Sequence, residues 1–442
     1  MKDKIVYIVH AVDTEGPLYE SIESTFKRMK DIFGIDNIDP TYKNLLKIQK
    51  KEIDLKGIED EVAKAFSSKL LQYNDSWGKI DKMLHEIMSK EYRKKVPDSF
   101  NNGWIYNWHC LDHVGYISNP RRRDIGFHKI FDHYKKVIND TNSRQDRIHW
   151  HFHYMPLNKN AHRCGKSLAN SPHLYETLCR RIIERDWFPT VYRSGFQTER
   201  PDINLFLEQW IPFDVTNMAI EDSSELESQK DLQNGRFGDW RIAPNDWSIY
   251  HPSHDNYQIK GNCRRWIGRA LNLNTRIANI NQKETDKAFY RANNGYPTLL
   301  GVTNHDFRNM KEGIENFLSM IKKSSEKFPK VKFKYSEAVQ AFRDLIFGPN
   351  YSFEPLELNI RLKNSRLRIS TKKGEVFGPQ PFLAIKTRAG QFFHDNFDFG
   401  KSLKDWYYCF DEENLLLSEI ETIGIAANDR YGNTFLKKIN IK

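Results

Sequence analysis

The sequence predicts an α/β fold: one large domain built as a barrel, carrying a helical insertion and followed by a small β domain. Three observations predict it. Strand-like and helix-like stretches alternate from residue 4 to about residue 346, the order that builds a parallel sheet or barrel. A stretch rich in Lys, Glu and Asp, residues 20–100, interrupts that alternation with helical spacing of its own. After FGPN at 347–350 the pattern turns to strands without good helices between them.

The elements follow in order. KIVYIVHAV at 4–12 is a short continuous apolar run, the pattern of a fully buried strand. It ends in Asp13-Thr14-Glu15-Gly16-Pro17, acidic residues where α/β folds place their chemistry. Within 20–100, IEDEVAKAFSSKLLQY and KIDKMLHEIMSKEYRK carry helical spacing, and their charge reads as a solvated face. A helix within 121–140 leads into the strand RIHWHFHYM. A helix near 173–186, the short strand FPTVYRSGF, a helix near 201–209 and the strand end WIPFDVTNM come next. Residues 221–300 are rich in loop formers, with a helix at 284–293. YPTLLGVTNHDF is again a buried strand ending in polar groups. The helix KEGIENFLSMIKKSSEKF, the strand VKFKYS and the helix SEAVQAFRDLI complete the first unit, 1–346. LELNIRLKNSRLRIST, PFLAIKTRA, NLLLSEIETIGIAA and TFLKKINI form the β domain of 347–442, to which the sequence assigns no role.

Composition bounds the function. The chain has 442 residues, of which 13% are aromatic, too many for a disordered protein. No apolar run approaches the roughly 18 residues of a membrane span, and the start lacks a cleavage site of small residues. The net charge of +10 permits an anionic partner without demanding one. Basic residues are not interleaved with aromatics as in a nucleic-acid module, so no nucleic acid is expected. Five widely spaced cysteines with no CxxC read as free thiols of a reducing compartment. GxSxG, HExxH, Walker A and GxGxxG are absent.

The fifteen histidines are unevenly placed. His149, His151 and His153 alternate with Trp150, Phe152 and Tyr154, so on a strand all three imidazoles share one face. Two or three of them could hold one divalent transition metal; the competing reading is a hydrogen-bonded, metal-free strand face. Asp13 and Glu15 share a face if the first strand runs that far, and a metal hydrolase needs a carboxylate ligand and a base. Arg193, in YRSGF, could pair with a catalytic carboxylate or bind an anionic group, and Gly195 would allow close backbone approach. Asp214 occupies a comparable strand end. His305 could protonate a leaving group, with Asp306 positioning it or capping the next helix. Trp247, Tyr250, His251 and His254 lie in an aromatic loop region suited to sugar rings. His109, Asp112 and His113 either line the same cleft or form a separate packed network.

The order of these motifs resembles the polysaccharide deacetylase superfamily, the NodB-like carbohydrate esterases. More narrowly it resembles the divergent branch that accompanies surface-polysaccharide (O-antigen or capsule) biosynthesis. VDTEG is similar to the family's acidic first motif, HWHFH at 149–153 to its paired-histidine metal motif, YRSG to its arginine-glycine motif and TNHD to its late histidine-aspartate strand end. The likeness covers roughly residues 4–345 outside the insertion. Thr14 separates acids that are adjacent in the usual motif, and the histidines allow two alignments, His149 with His153 or His151 with His153.

The resemblance implies a distorted or incomplete (β/α) barrel and a zinc ion, another divalent transition metal being the alternative. It implies Glu15, His151 and His153 as ligands, with His149 as a fourth candidate. Asp13 would be the base, His305 the acid, and Arg193 and Asp306 their supports. Trp247, Tyr250 and Asp214 would contact substrate. The implied reaction removes an N-acetyl group from an amino sugar or glycan, free, nucleotide-linked or lipid-linked. The implied location is cytoplasmic, on or off the inner membrane surface. The alternatives are a metal-dependent O-deacylase or other C–N hydrolase, and a catalytically degenerate glycan-binding or assembly protein.

Overall fold

The computed structural model describes residues 4–235, 237–402 and 404–442. Eight parallel strands form one sheet: β1 (Ile5–Thr14), β2 (Tyr106–Asp112), β3 (Arg147–Phe152), β4 (Val191–Ser194), β5 (Phe213–Asn217), β6 (Trp266–Asn272), β7 (Thr298–His305) and β8 (Lys332–Tyr335). Seven of them close a ring, because the upper half of β1 pairs with β2 while its other edge pairs with β7. β8 pairs with Ile5–Ile8 only, wedged beside the lower half of β1. The molecule is therefore an α/β barrel ringed by helices, closed by seven strands.

Alternation on β1 explains both layers. Tyr7, Val9 and Ala11 face inward and meet Val191, Phe213 and Leu299. Val6, Ile8 and Val12 face outward onto the helices. The outer ring includes α7 (Lys129–Asp140), α8 (His173–Arg185), α9 (Pro201–Trp210), α11 (Gln282–Asn293) and α12 (Met310–Lys327). The last helix, α13 (Ala338–Phe347), turns its apolar face into the lower barrel, where Ala338, Val339, Ala341 and Phe342 fill the interior. The N-terminal end is thus plugged, leaving the C-terminal mouth as the site of access.

Between β1 and β2 the chain forms α1 (Ile22–Phe33), α2 (Tyr42–Gln49), α3 (Glu59–Ala65), α4 (Ser68–Leu71), α5 (Trp77–Ile87) and α6 (Lys90–Arg93). The insertion is helical as its spacing predicts, and Phe26, Met29, Ile32, Leu45, Ile48 and Val62 give it a small core of its own. α5 packs Ile80, Leu84 and Ile87 into the main core. A very short α10 (Ser224–Glu227) lies in the loop after β5.

Two four-stranded antiparallel sheets follow α13. One holds β9 (Glu357–Lys363), β10 (Arg366–Lys373), β13 (Asp398–Phe399) and β14 (Asp405–Cys409); the other holds β11 (Phe382–Thr387), β12 (Phe392–Asp395), β15 (Ile420–Asn428) and β16 (Thr434–Asn440). Leu367, Ile369, Leu383, Ile385, Ile423 and Ile425 form the core between them. The second sheet also shares a core with the barrel's outer helices, where Phe382, Ala384 and Ala426 meet Leu178, Ile182, Phe206 and Trp210. The five cysteines are free thiols, and among the described residues no helix is long and apolar enough to cross a membrane.

Candidate metal centre

Strand register assembles the site. Asp13 lies level with His305 across β1 and β7, and His151 level with Arg193 across β3 and β4. All four point into the barrel mouth. Glu15 and His153 stand just beyond the ends of β1 and β3 and continue the same two-residue period.

Glu15, His151 and His153 each offer a ligand atom, and these atoms lie within 4.8 Å of one another. The separations are 3.0 Å between the two Nε2 atoms, and 3.7 Å and 3.3 Å from Glu15 Oε1 to His151 and His153. Tetrahedral coordination with bonds of about 2.1 Å places ligand atoms about 3.4 Å apart, so the donor set fits one such ion. His151 Nδ1 lies 2.8 Å from the Arg193 carbonyl oxygen, to which only a ring N–H can donate. That tautomer leaves the Nε2 lone pair aimed at the other two ligands. Burial lowers the pKa of both histidines, well below the ordinary value for His153, so both are neutral and able to ligate at neutral pH.

Asp13 stands beside this group. Arg193 Nε donates to Asp13 Oδ1 at 2.6 Å, and Arg193 Nη1 donates to the Val215 carbonyl at 2.7 Å. Both side chains are buried, at 1% and 0% exposure. Burial alone would raise the Asp13 pKa; Arg193, His151 and His305 outweigh it and hold the carboxyl below its ordinary value. Asp13 Oδ2 lies 3.7 Å from His305 Nε2, which is also 3.7 Å from Glu15 Oε1. Burial pushes the His305 pKa down to about 3, so its imidazole is neutral.

The turn after β1 is fixed from behind. Asp306 accepts hydrogen bonds from the Glu15 N–H through Oδ1 and from the Gly16 N–H through Oδ2, each at 2.9 Å, and from the Tyr134 hydroxyl at 2.9 Å. Gly16 makes this turn at φ +71°, a conformation that favours glycine. Asp306 therefore neither touches the cleft chemistry nor caps α12, whose N-cap is Asn309; it positions Glu15. Gly195 meets its expectation of close approach, since a Cβ there would run into the His153 ring.

Four further sequence-derived assignments need correction. His149 shares the face of His151 but sits two residues lower, where its Nε2 meets Glu337 Oε1 at 3.1 Å and Asn107 Oδ1 at 3.2 Å. It is a buried polar anchor below the site. Asp214 points outward and is held by Arg265 Nη1 at 2.9 Å. Trp247 is fully buried, its Nε1 donating to the Glu284 carbonyl at 3.0 Å under Arg269. Tyr250 is buried too, its hydroxyl donating to the Tyr257 carbonyl at 2.8 Å. None of these four lines the cleft.

The cleft itself has a volume of about 290 Å³ and runs from Asp13, Glu15, His153 and His305 outward. The loops after all seven ring strands contribute to its wall, and α1 supplies Lys27 and Arg28 from the insertion. The insertion's charge is therefore not wholly a solvated face. Phe196, Phe237 and Trp240 form an aromatic side, with Phe196 and Phe237 stacked at 5.5 Å. These aromatics, and not the region of Trp247, are placed to meet a ring. Arg123, from the RRR run at 121–123, pairs with Glu15. His109 lies beneath the site beside His149, their ring centres 5.1 Å apart, and His113 lies 5.5 Å from His153.

Comparison with protein-family models, curated proteins and solved structures found no match. The site's reading therefore rests on its own geometry. Glu208, His254 and Cys263 also bring ligand atoms together. There Glu208 is already engaged by the Arg264 and Arg265 N–H groups at 2.6 and 3.1 Å, and burial pushes the Cys263 thiol up to about 11. That group is poorly suited to an ion beside the first.

Proposed function

We propose that the chain is a metal-dependent hydrolase that removes an N-acetyl group from an amino sugar or glycan of surface-polysaccharide biosynthesis. One observation carries this reading: Asp13, Glu15, His151, His153 and His305 converge at the open mouth of a parallel barrel. The same residues carry the resemblance to the polysaccharide deacetylase superfamily.

Glu15, His151 and His153 would hold zinc. When bound there, zinc supplies Lewis acidity, polarising the acyl carbonyl and easing proton loss from water near neutral pH. Asp13 is the general base through Oδ2, because Arg193 occupies Oδ1. The same pairing keeps Asp13 ionised. His305 is neutral at the start, so the proton it gives to the departing amine must first reach it, across the 3.7 Å that separates it from Asp13 Oδ2. Arg193 touches the catalytic carboxylate and no open part of the cleft, which makes it a positioning residue. Phe196, Phe237 and Trp240 offer apolar faces suited to a sugar ring.

Acetate release is the test. The protein is loaded with zinc and offered N-acetylated and O-acetylated sugars in parallel. Release from the N-acetyl substrates, abolished by chelation and restored by zinc, supports the reading. Release from the O-acetyl set alone moves the activity to an O-deacylase. Metal binding with no release from either set favours a glycan-binding protein.

A further inference from the structure

Next to the proposed metal ligands, the cleft carries more positive charge than its own acids neutralise. His305 and Phe307 lie 4.7 Å apart, ring centre to ring centre. Arg123 and Arg308 lie 5.7 and 5.6 Å from the Phe307 ring. Arg121 and Arg308 each lie 5.2 Å from the Tyr73 ring. Arg28 grips both oxygens of Glu20 at 2.9 and 3.0 Å, and Arg121 shares that carboxylate at 3.1 Å. All four guanidiniums line the cleft that holds Asp13 and Glu15. Within ion-pair distance their carboxylate partners among the described residues are Glu20 and Glu15, two acids for four guanidiniums and a formal charge of +2, with Asp231 and Asp306 acting on Arg28 and Arg123 from farther off. Burial lowers the Arg308 pKa below its ordinary value, and although Tyr73 opposes this, Arg28 and Arg121 lower it further. Cations gathered in this way are stabilised by an anion from outside.

We propose that this cluster is a phosphate subsite, so that the acyl sugar arrives carried on a phosphoryl or diphosphoryl group. A phosphate dianion matches the uncompensated charge, and guanidinium forks pair bidentately with its oxygens. A single carboxylate would leave one charge unanswered. The cluster begins at Phe307, beside His305, so the bound phosphate lies along the cleft from the reacting acyl group. This substrate class rests on the hydrolase reading, but the phosphate site itself does not.

The test is calorimetric titration of the full chain with inorganic pyrophosphate. Saturable binding is expected, weakened at least ~10-fold in Arg308→Gln and in Arg121→Gln, and weakened again by added salt. Arg121 is 16% exposed, so its variant should fold even if Arg308→Gln does not; thermal unfolding checks both. The His151→Ala variant, which lacks a proposed metal ligand, should bind pyrophosphate as the parent chain does. Pyrophosphate binding without acetate release thus counts against the hydrolase reading alone. Acetate release without pyrophosphate binding counts against the subsite alone. Parallel titrations with uridine diphosphate and with neutral vesicles carrying a polyprenyl diphosphate separate the sources. At least ~10-fold tighter binding of either names the carrier, and equal binding of all three names the phosphate group alone. Absence of binding to all three, binding unchanged in both arginine variants, or tighter binding of glucuronate than of pyrophosphate would overturn the proposal.

Discussion

Arg193 and Asp13 form a buried pair at the centre of the site, and Arg193 helps hold the Asp13 carboxyl below its ordinary value. Removing Arg193 leaves burial, the largest influence on Asp13, without its main opponent. Arg193→Gln should therefore raise the Asp13 pKa and move the acid limb of kcat/KM to higher pH, read from a pH-rate profile. Stability follows the same sign. A carboxyl held below its ordinary value stabilises the fold above that value, and the contribution fades as pH falls through the lowered one. Without Arg193, an unpaired buried carboxylate should cost about 3–5 kcal/mol at neutral pH, measured by denaturant unfolding. Gly195 makes a second prediction at this scale. Because a Cβ there would strike the His153 ring, Gly195→Ala should weaken zinc binding while leaving the barrel folded, as a competitive chelator titration would report.

Strand ends and the loops beyond them carry the chemistry, so a loop defect should read out at the metal. Asp306 holds the Glu15 and Gly16 N–H groups without touching the proposed ion. Asp306→Ala should lower zinc affinity about 10–100-fold, the effect of losing a support behind a ligand. His305→Ala should instead keep the zinc and lose turnover. The ends of β1, β3, β4 and β7 were legible in the sequence because each is a buried strand followed by polar residues of a kind that ligate or ionise. β2 and β6 were not. YNWHCLD is buried throughout; its short alternation turns Tyr106, Trp108 and Cys110 onto the helices and sends the polar Asn107 and His109 inside the barrel, where they meet other polar groups. WIGRALN carries Gly268 and Arg269, and the charge of Arg269 is met by Glu284, on a helix outside the barrel. Such partners are invisible to a local pattern.

At the scale of the whole molecule, contacts distant in sequence decide what the sequence left open. Trp247 and Tyr250 look like loop aromatics until the fold buries them. The RRR run looks too short to matter until Arg121 and Arg123 gather with Arg308, far away in sequence, around Tyr73 and Phe307. The second C-terminal sheet leans on α8, where a Cβ at Gly424 would come within 2.6 Å of Ile182 Cγ2. Gly424→Val should destabilise the chain by about 1–3 kcal/mol through overpacking, seen as a lower denaturant midpoint, with the zinc content of the folded chain unchanged. Everything proposed for catalysis depends on one claim, that Glu15, His151 and His153 hold a single ion. Metal content after equilibration with zinc and dialysis tests it most directly. The account predicts one zinc per chain in the parent protein and almost none in His151→Ala or His153→Ala of unchanged fold. A parent chain that keeps no zinc, or variants that keep it all, would contradict the account.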